Sequence, residues 1–178
     1  PSARASPLQL SRRISGVLLS LSIGLLGACY GFAGGGFPPE IHTVAVLPFD
    51  NRTPEPTLTQ EVNAAVRDAV EGRLGLRAAG EDQADAIVRG SIQRYEPDVP
   101  VAYSGNEVGN SVNVTRRLVQ LTVNVEIVDQ KRNRTLWQRS GLLVEGDYEP
   151  GSQTEQQARD EALEKLTLTI VEGAQSQW

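Results

Sequence analysis

Val119-Gln-Leu-Thr-Val-Asn-Val-Glu-Ile127 alternates apolar and polar residues without a break. Successive side chains of a strand point to opposite faces. Val119, Leu121, Val123, Val125 and Ile127 therefore share a buried face, and Gln120, Thr122, Asn124 and Glu126 a wet one. A sheet that is wet on one side needs a cover on the other, which frames the reading of the rest of the chain. Downstream, Asp129-Gln-Lys-Arg-Asn-Arg134 is a short polar connection, and Thr135–Glu145 is predicted to return as the hairpin partner.

Upstream, 86–95 reads as a strand with Ala86, Val88, Gly90 and Ile92 on one face. Residues 96–114 join it to the alternating strand and contain Pro97, Pro100, Gly105 and Gly109. A connection this long is a flexible or functional loop, or a hairpin extension of the strands it joins. Thr43-Val-Ala-Val-Leu-Pro-Phe49 is almost uniformly apolar, as in a strand with neighbours, and Pro48 requires it to end or lie at an edge there.

Two amphipathic helices complete the pattern. Leu58, Val62, Ala65, Val66, Ala69, Val70 and Leu74 recur at helical spacing behind a candidate capping box of Thr57 and Gln60, with Gly72 and Gly75 marking the end. Ala158, Ala162, Leu163, Leu166 and Ile170 do the same. Ser152 or Thr154 is the cap, Glu155 and Gln157 stand three residues on, and the helix closes near Gly173. The order β-α-β-β-β-α predicts an α+β two-layer sandwich: a four-stranded mixed sheet with two helices. A right-handed first crossover would make strands one and two parallel.

The chain has 178 residues and opens on Pro1, as a trimmed reading frame would. Its first 28 residues hold three of the 17 basic side chains and none of the 22 acids, leaving 14 and 22, or −8, on the remaining 150. That remainder is the size of one domain, read as 43–173 with a short tail at 174–178. Its acidity argues against nucleic acid as a general partner.

Residues 1–28 read as a signal peptide. Arg12-Arg13 precedes an apolar run over 14–27, too short for the roughly 20 residues that cross a bilayer but right for an export signal. The twin-arginine pattern is incomplete, which favours the general secretory route. Leu26-Gly27-Ala28-Cys29 has the small residues a peptidase needs beside the bond preceding an acylated cysteine. Cys29 is thus expected to be lipidated, and three acyl chains at about 0.8 kcal/mol per buried methylene would anchor it durably. An ordinary signal peptide, or a buried helix, with an incidental cysteine is the plainer alternative. Residues 29–42, rich in Gly and Pro, read as a linker.

Catalytic signals are sparse. One Cys excludes an internal disulfide, and Cys29 with His42 is no zinc set. His42 stands beside the first strand with no nucleophile elbow in the sequence. Glu81-Asp82 and Asp160-Glu161 fall in a loop and on a polar helix face. No catalytic residue, metal site or cofactor is assigned, and an enzyme is not expected. Asn-x-Thr triplets at Asn51, Asn113 and Asn133 would matter only in a eukaryotic secreted protein.

Charge is unevenly placed. Residues 115–140 carry six basic groups (Arg116, Arg117, Lys131, Arg132, Arg134, Arg139) against Glu126 and Asp129, while the flanking segments are acidic. A basic hairpin on an acidic body predicts a local anion contact; solubilising charge at a hairpin tip gives the same pattern. At about 3.3 Å per residue, Arg116 and the 131–134 tip are some 45–60 Å apart on an extended strand and form separate clusters. With strand three antiparallel to strands one and two, Lys131, Arg132 and Arg134 return to the end where strand one begins, the anchor side. Arg116 and Arg117 lie at the other end, as a partner or loop contact.

Leu26-Gly27-Ala28-Cys29, Tyr30-Gly-Phe32, Pro38-Pro39, Thr43-Val-Ala-Val-Leu-Pro-Phe-Asp-Asn-Arg-Thr53, Ala86-Ile-Val-Arg-Gly90, the hairpin ending Thr135-Leu-Trp137 and the C-terminal helix together resemble the LptE family. These are lipopolysaccharide-assembly outer-membrane lipoproteins. The resemblance implies an outer-membrane location at the periplasmic face, in accord with Tyr30 rather than Asp after the cysteine. It implies partnership with an LptD-type β-barrel, which such a subunit plugs and helps to assemble, and contact with lipopolysaccharide. Assigning that contact to Lys131, Arg132 and Arg134 follows from charge and topology. A Val-Ala-Val-Leu-Pro-Phe opening also occurs in lipoproteins that activate peptidoglycan synthases or form curli-type secretion pores, which is the alternative.

Overall fold

The computed structural model describes residues 37–105 and 112–176. In order, the elements are β1 (Thr43–Val46), β2 (Asp50–Asn51), α1 (Leu58–Leu74), β3 (Arg77–Ala78), β4 (Ala86–Gly105), β5 (Val112–Asp129), β6 (Arg134–Tyr148) and α2 (Glu155–Gln175), with a 3-10 turn at Glu81–Gln83. The sheet runs β3-β1-β4-β5-β6, and β2 pairs with β4 in continuation of β1. Two helices and a mixed sheet make this an α+β fold, with six strands rather than the expected four.

The two extra strands have local causes. Pro48 has no N–H, so the first strand breaks there. Leu47 N–H donates to Val88 and Arg52 N–H to Ile92, and pairing resumes one residue out of step. Phe49, in the break, is buried; its N–H donates to Asn63 Oδ1 on α1, and its ring covers Gly90. A Cβ at Gly90 would lie 2.3 Å from the Asn124 carbonyl and 2.4 Å from that ring, so no larger residue fits. β3 forms because Gly75 turns α1 back at φ +67°, which brings Arg77 and Ala78 alongside Thr43 and Val44.

β1 and β4 are parallel, β4 and β5 antiparallel, and β5 and β6 antiparallel, as the expected topology requires. The alternating face is buried as read: Val119, Leu121, Val123, Val125 and Ile127 are each at most 2% exposed. Leu121, Val123, Val125 and Ile127 pack with Leu58, Val62, Val66 and Val70 of α1 and Leu166 and Ile170 of α2 in one core. β6 and α2 approach closely at two glycines: Gly146 lies against the Ala158 backbone, and Gly173 against the Trp137 ring.

The long connection is a hairpin extension. β4 and β5 stay paired out to Gly105 and Val112, whereas β6 stops opposite Arg117, so a two-stranded arm projects past the body. Of the helix-end readings, Thr57 as cap and Gly72 as an end need correction, whereas Gly75 and the Thr154 cap are as read. Thr57 already has helical backbone angles and gives its hydroxyl to Glu55, so it makes no side-chain cap. α1 continues through Gly72 to Leu74. At α2 the capping box joins Thr154 and Gln157, while Ser152 bonds back to the Glu149 carbonyl. Ile41 belongs to the core, and α2 runs through buried Ala174 to Gln175.

Candidate functional site

The tip of the β5–β6 hairpin lies where the topology requires, beside the start of β1. Its organiser is a residue the sequence reading passed over. Asp85, 7% exposed, accepts from the N–H groups of His42 and Thr43 at 3.0 Å each, from the Thr43 hydroxyl at 2.9 Å, and from Lys131 Nζ at 2.5 Å. Its carbonyl takes Gln130 N–H at 2.9 Å. The Lys131 ammonium, then the His42 amide, hold its carboxyl well below the usual carboxylate range against the opposing effect of burial.

The tip cations are engaged as follows. Lys131 is 72% exposed and bound to Asp85. Arg132 reaches Glu40 and, at 3.2 Å, Asp129 Oδ2. Asp129 is fully buried. Burial alone would raise its pKa, but the N–H and guanidinium of Arg132 outweigh that and leave it lowered. Asn133 closes the turn at φ +47°, and Arg134 opens β6 opposite Asp129. Lys131, Arg132 and Arg134 are thus brought together on one turn, with Lys131 and Arg132 also serving to hold the turn.

The second cluster is at the base of the arm. Arg116 pairs with Asp147 at 3.5 Å, Arg117 pairs with Asp98, and Tyr148 donates to the Pro97 carbonyl. Beneath it, Tyr95 donates to Glu155 at 2.6 Å and lies 5.7 Å from the Arg159 guanidinium. Burial, then the bond to Glu155, raises the Tyr95 phenol. Arg159 Nε and Glu61 Oε2 face each other at 3.4 Å, neither hydrogen-bonded. β4, α1 and α2 are thereby joined where the arm leaves the body. The sequence signal for this join was faint: Tyr95, at the end of an expected strand, and Arg159, one position off an apolar stripe.

His42, Glu81, Asp82 and Asp160 are exposed. Among the described residues no group of three or more His, Cys, Asp or Glu is placed to hold a metal ion, and no helix is long and apolar enough to cross a membrane. Cys29 lies outside the described residues.

A family model described as LptE, lipopolysaccharide-assembly, matches residues 41–173. The chain belongs to the LptE family. The match spans β1 to α2, from buried Ile41 to Gly173 against Trp137, so the whole two-layer unit is the family's module. No curated protein sequence matches the chain. Among solved structures it is similar to protein XCC0632 from Xanthomonas campestris (13% identity, 80% of this chain and 91% of that one, TM-score 0.51). It is also similar to the hypothetical protein CT253 from Chlamydia trachomatis (10% identity, 75% and 98%, TM-score 0.50). At these identities the likeness concerns the fold alone. A looser one, to the PelC dodecamer from Paraburkholderia phytofirmans (16% identity, 74% and 90%, TM-score 0.44), carries no argument.

Proposed function

We propose that the chain is a lipid-anchored subunit of the lipopolysaccharide assembly machinery at the periplasmic face of the outer membrane. It plugs an LptD-type β-barrel and assists that barrel's assembly, and it docks rather than catalyses. The observation that carries this is the family match across the entire folded unit. Acylation of Cys29 supplies the tether, with the Gly- and Pro-rich 29–42 segment as its linker.

In this reading Lys131, Arg132 and Arg134 contact the anionic head region of lipopolysaccharide. They share one exposed turn, and the Arg132 pair with Glu40, exposed on both sides, is cheap to exchange for an anionic ligand. Arg116 and Arg117 at the base of the arm serve as the second contact. Pull-down of the full lipoprotein from outer membranes should recover a large β-barrel protein, and its reproducible absence contradicts the reading. Arg132→Ser with Arg134→Ser should weaken lipopolysaccharide binding while circular dichroism stays unchanged. Unchanged binding removes the role of the tip but not the barrel partnership.

A further inference from the structure

β6 is the outer strand of the sheet, so one side of its backbone has no strand beside it. α2 closes part of that side. Lys165 Nζ donates to the Glu145 carbonyl at 2.8 Å, and Glu161 accepts from Asp147 N–H at 3.3 Å; these two side chains pair with each other at 2.6 Å. By the two-residue alternation of a ladder, the Leu143 backbone points the same way as those of Glu145 and Asp147. Among the described residues no side chain closes it, and the Leu143 side chain is 52% exposed.

A cavity of about 440 Å³ opens nearer the start of β6, across the register break between Arg139 and Leu142, against the last turn of α2; Thr135, Trp137, Gln138, Arg139, Gly173 and Ser176 line it. The hydroxyl of Thr135 is spent on Glu126 and that of Ser176 on the Gly173 carbonyl. Trp137 is 5% exposed, and its indole nitrogen lies over Gly173, 2.2 Å from where a Cβ would be. Among the described residues that N–H has no acceptor and the Arg139 guanidinium no carboxylate. Trp137 and Arg139 stand two apart, opposite Ile127 and Val125, on the same face. The cavity therefore has donors to spare beside a strand edge that lacks a main-chain partner. An extended peptide bearing a carboxylate satisfies both.

We propose that the Gln138–Leu143 part of the β6 edge receives an extended strand from the barrel partner by β-augmentation, with an Asp or Glu of that strand seated at Arg139 and the Trp137 N–H. This rests on the barrel partnership proposed above. A closed barrel leaves no wall strand unpaired, so the added strand comes from a loop or a periplasmic segment of the partner.

Hydrogen exchange on the full lipoprotein, free and in the co-purified complex, tests this. In the complex the Leu143 amide should slow by about tenfold or more, while that of Asp147, already held by Glu161, changes little. Arg139→Glu should weaken the complex by about tenfold or more, and Trp137→Phe by less, with the free protein's melting temperature little moved by Arg139→Glu. Leu143→Pro, which removes an outward N–H at an edge position, should also weaken it. A complex that co-purifies with unchanged Leu143 exchange, or an Arg139→Glu protein that binds as wild type, overturns strand addition and leaves the barrel partnership standing. If no barrel co-purifies with the unaltered protein, both fall.

Discussion

Asp85 is the residue on which the hairpin tip depends. One buried carboxylate satisfies two backbone amides, a hydroxyl and an ammonium, so its loss leaves several groups unpaired at once. Asp85→Ala should cost about 3 kcal/mol in chemical denaturation, within the range for deleting a buried charged hydrogen-bond partner. The pH dependence has a definite sign. A carboxyl whose folded pKa lies below its unfolded value stabilises the fold above the unfolded value, and that contribution fades as pH falls towards the folded one. Asp85 and Asp129 are both lowered, so stability should decline below about pH 5, and Asp85→Asn should flatten the decline. Equal acid sensitivity of wild type and Asp85→Asn would contradict this. The position was not legible in advance: Asp85 reads as the polar residue before a strand, and its partners lie 42 to 46 positions away.

The helices and strands divide sharply in how much the sequence showed. The alternation through 119–127 located β5 and its buried face because side-chain burial there is local and has period two. The 3.6-residue stripes located α1 and α2 for the same reason. β2 and β3 were not visible, being two-residue pieces held by backbone pairing to β4 and β1 rather than by any pattern of their own. Capping shows the limit of motif reading. Thr57-x-x-Gln60 and Thr154-x-x-Gln157 are the same signature, yet only the second forms, because Glu55 captures the first hydroxyl. Thr154→Ala should therefore cost about 1 kcal/mol through its lost cap, and Thr57→Ala much less. Thermal melts of the two variants decide it. Gly173→Ala should destabilise by about 1–3 kcal/mol, since the new methyl meets the Trp137 ring and one of the two must shift.

At the scale of the molecule, one face of the sheet is covered by two helices, an arm extends from one end, and a cation-bearing turn closes the other. This is the form of a body that presents surfaces. The family was legible through its opening strand and lipobox-like start, whereas the β6 edge was not, since an unpaired edge exists only once the strand order is known. The most direct test of the central claim, that the chain serves the barrel through which lipopolysaccharide reaches the surface, is depletion in its native host. The account predicts that the outer-membrane barrel then fails to reach its heat-modifiable folded form and that surface lipopolysaccharide falls with it. Normal barrel folding and normal surface lipopolysaccharide in depleted cells would contradict it.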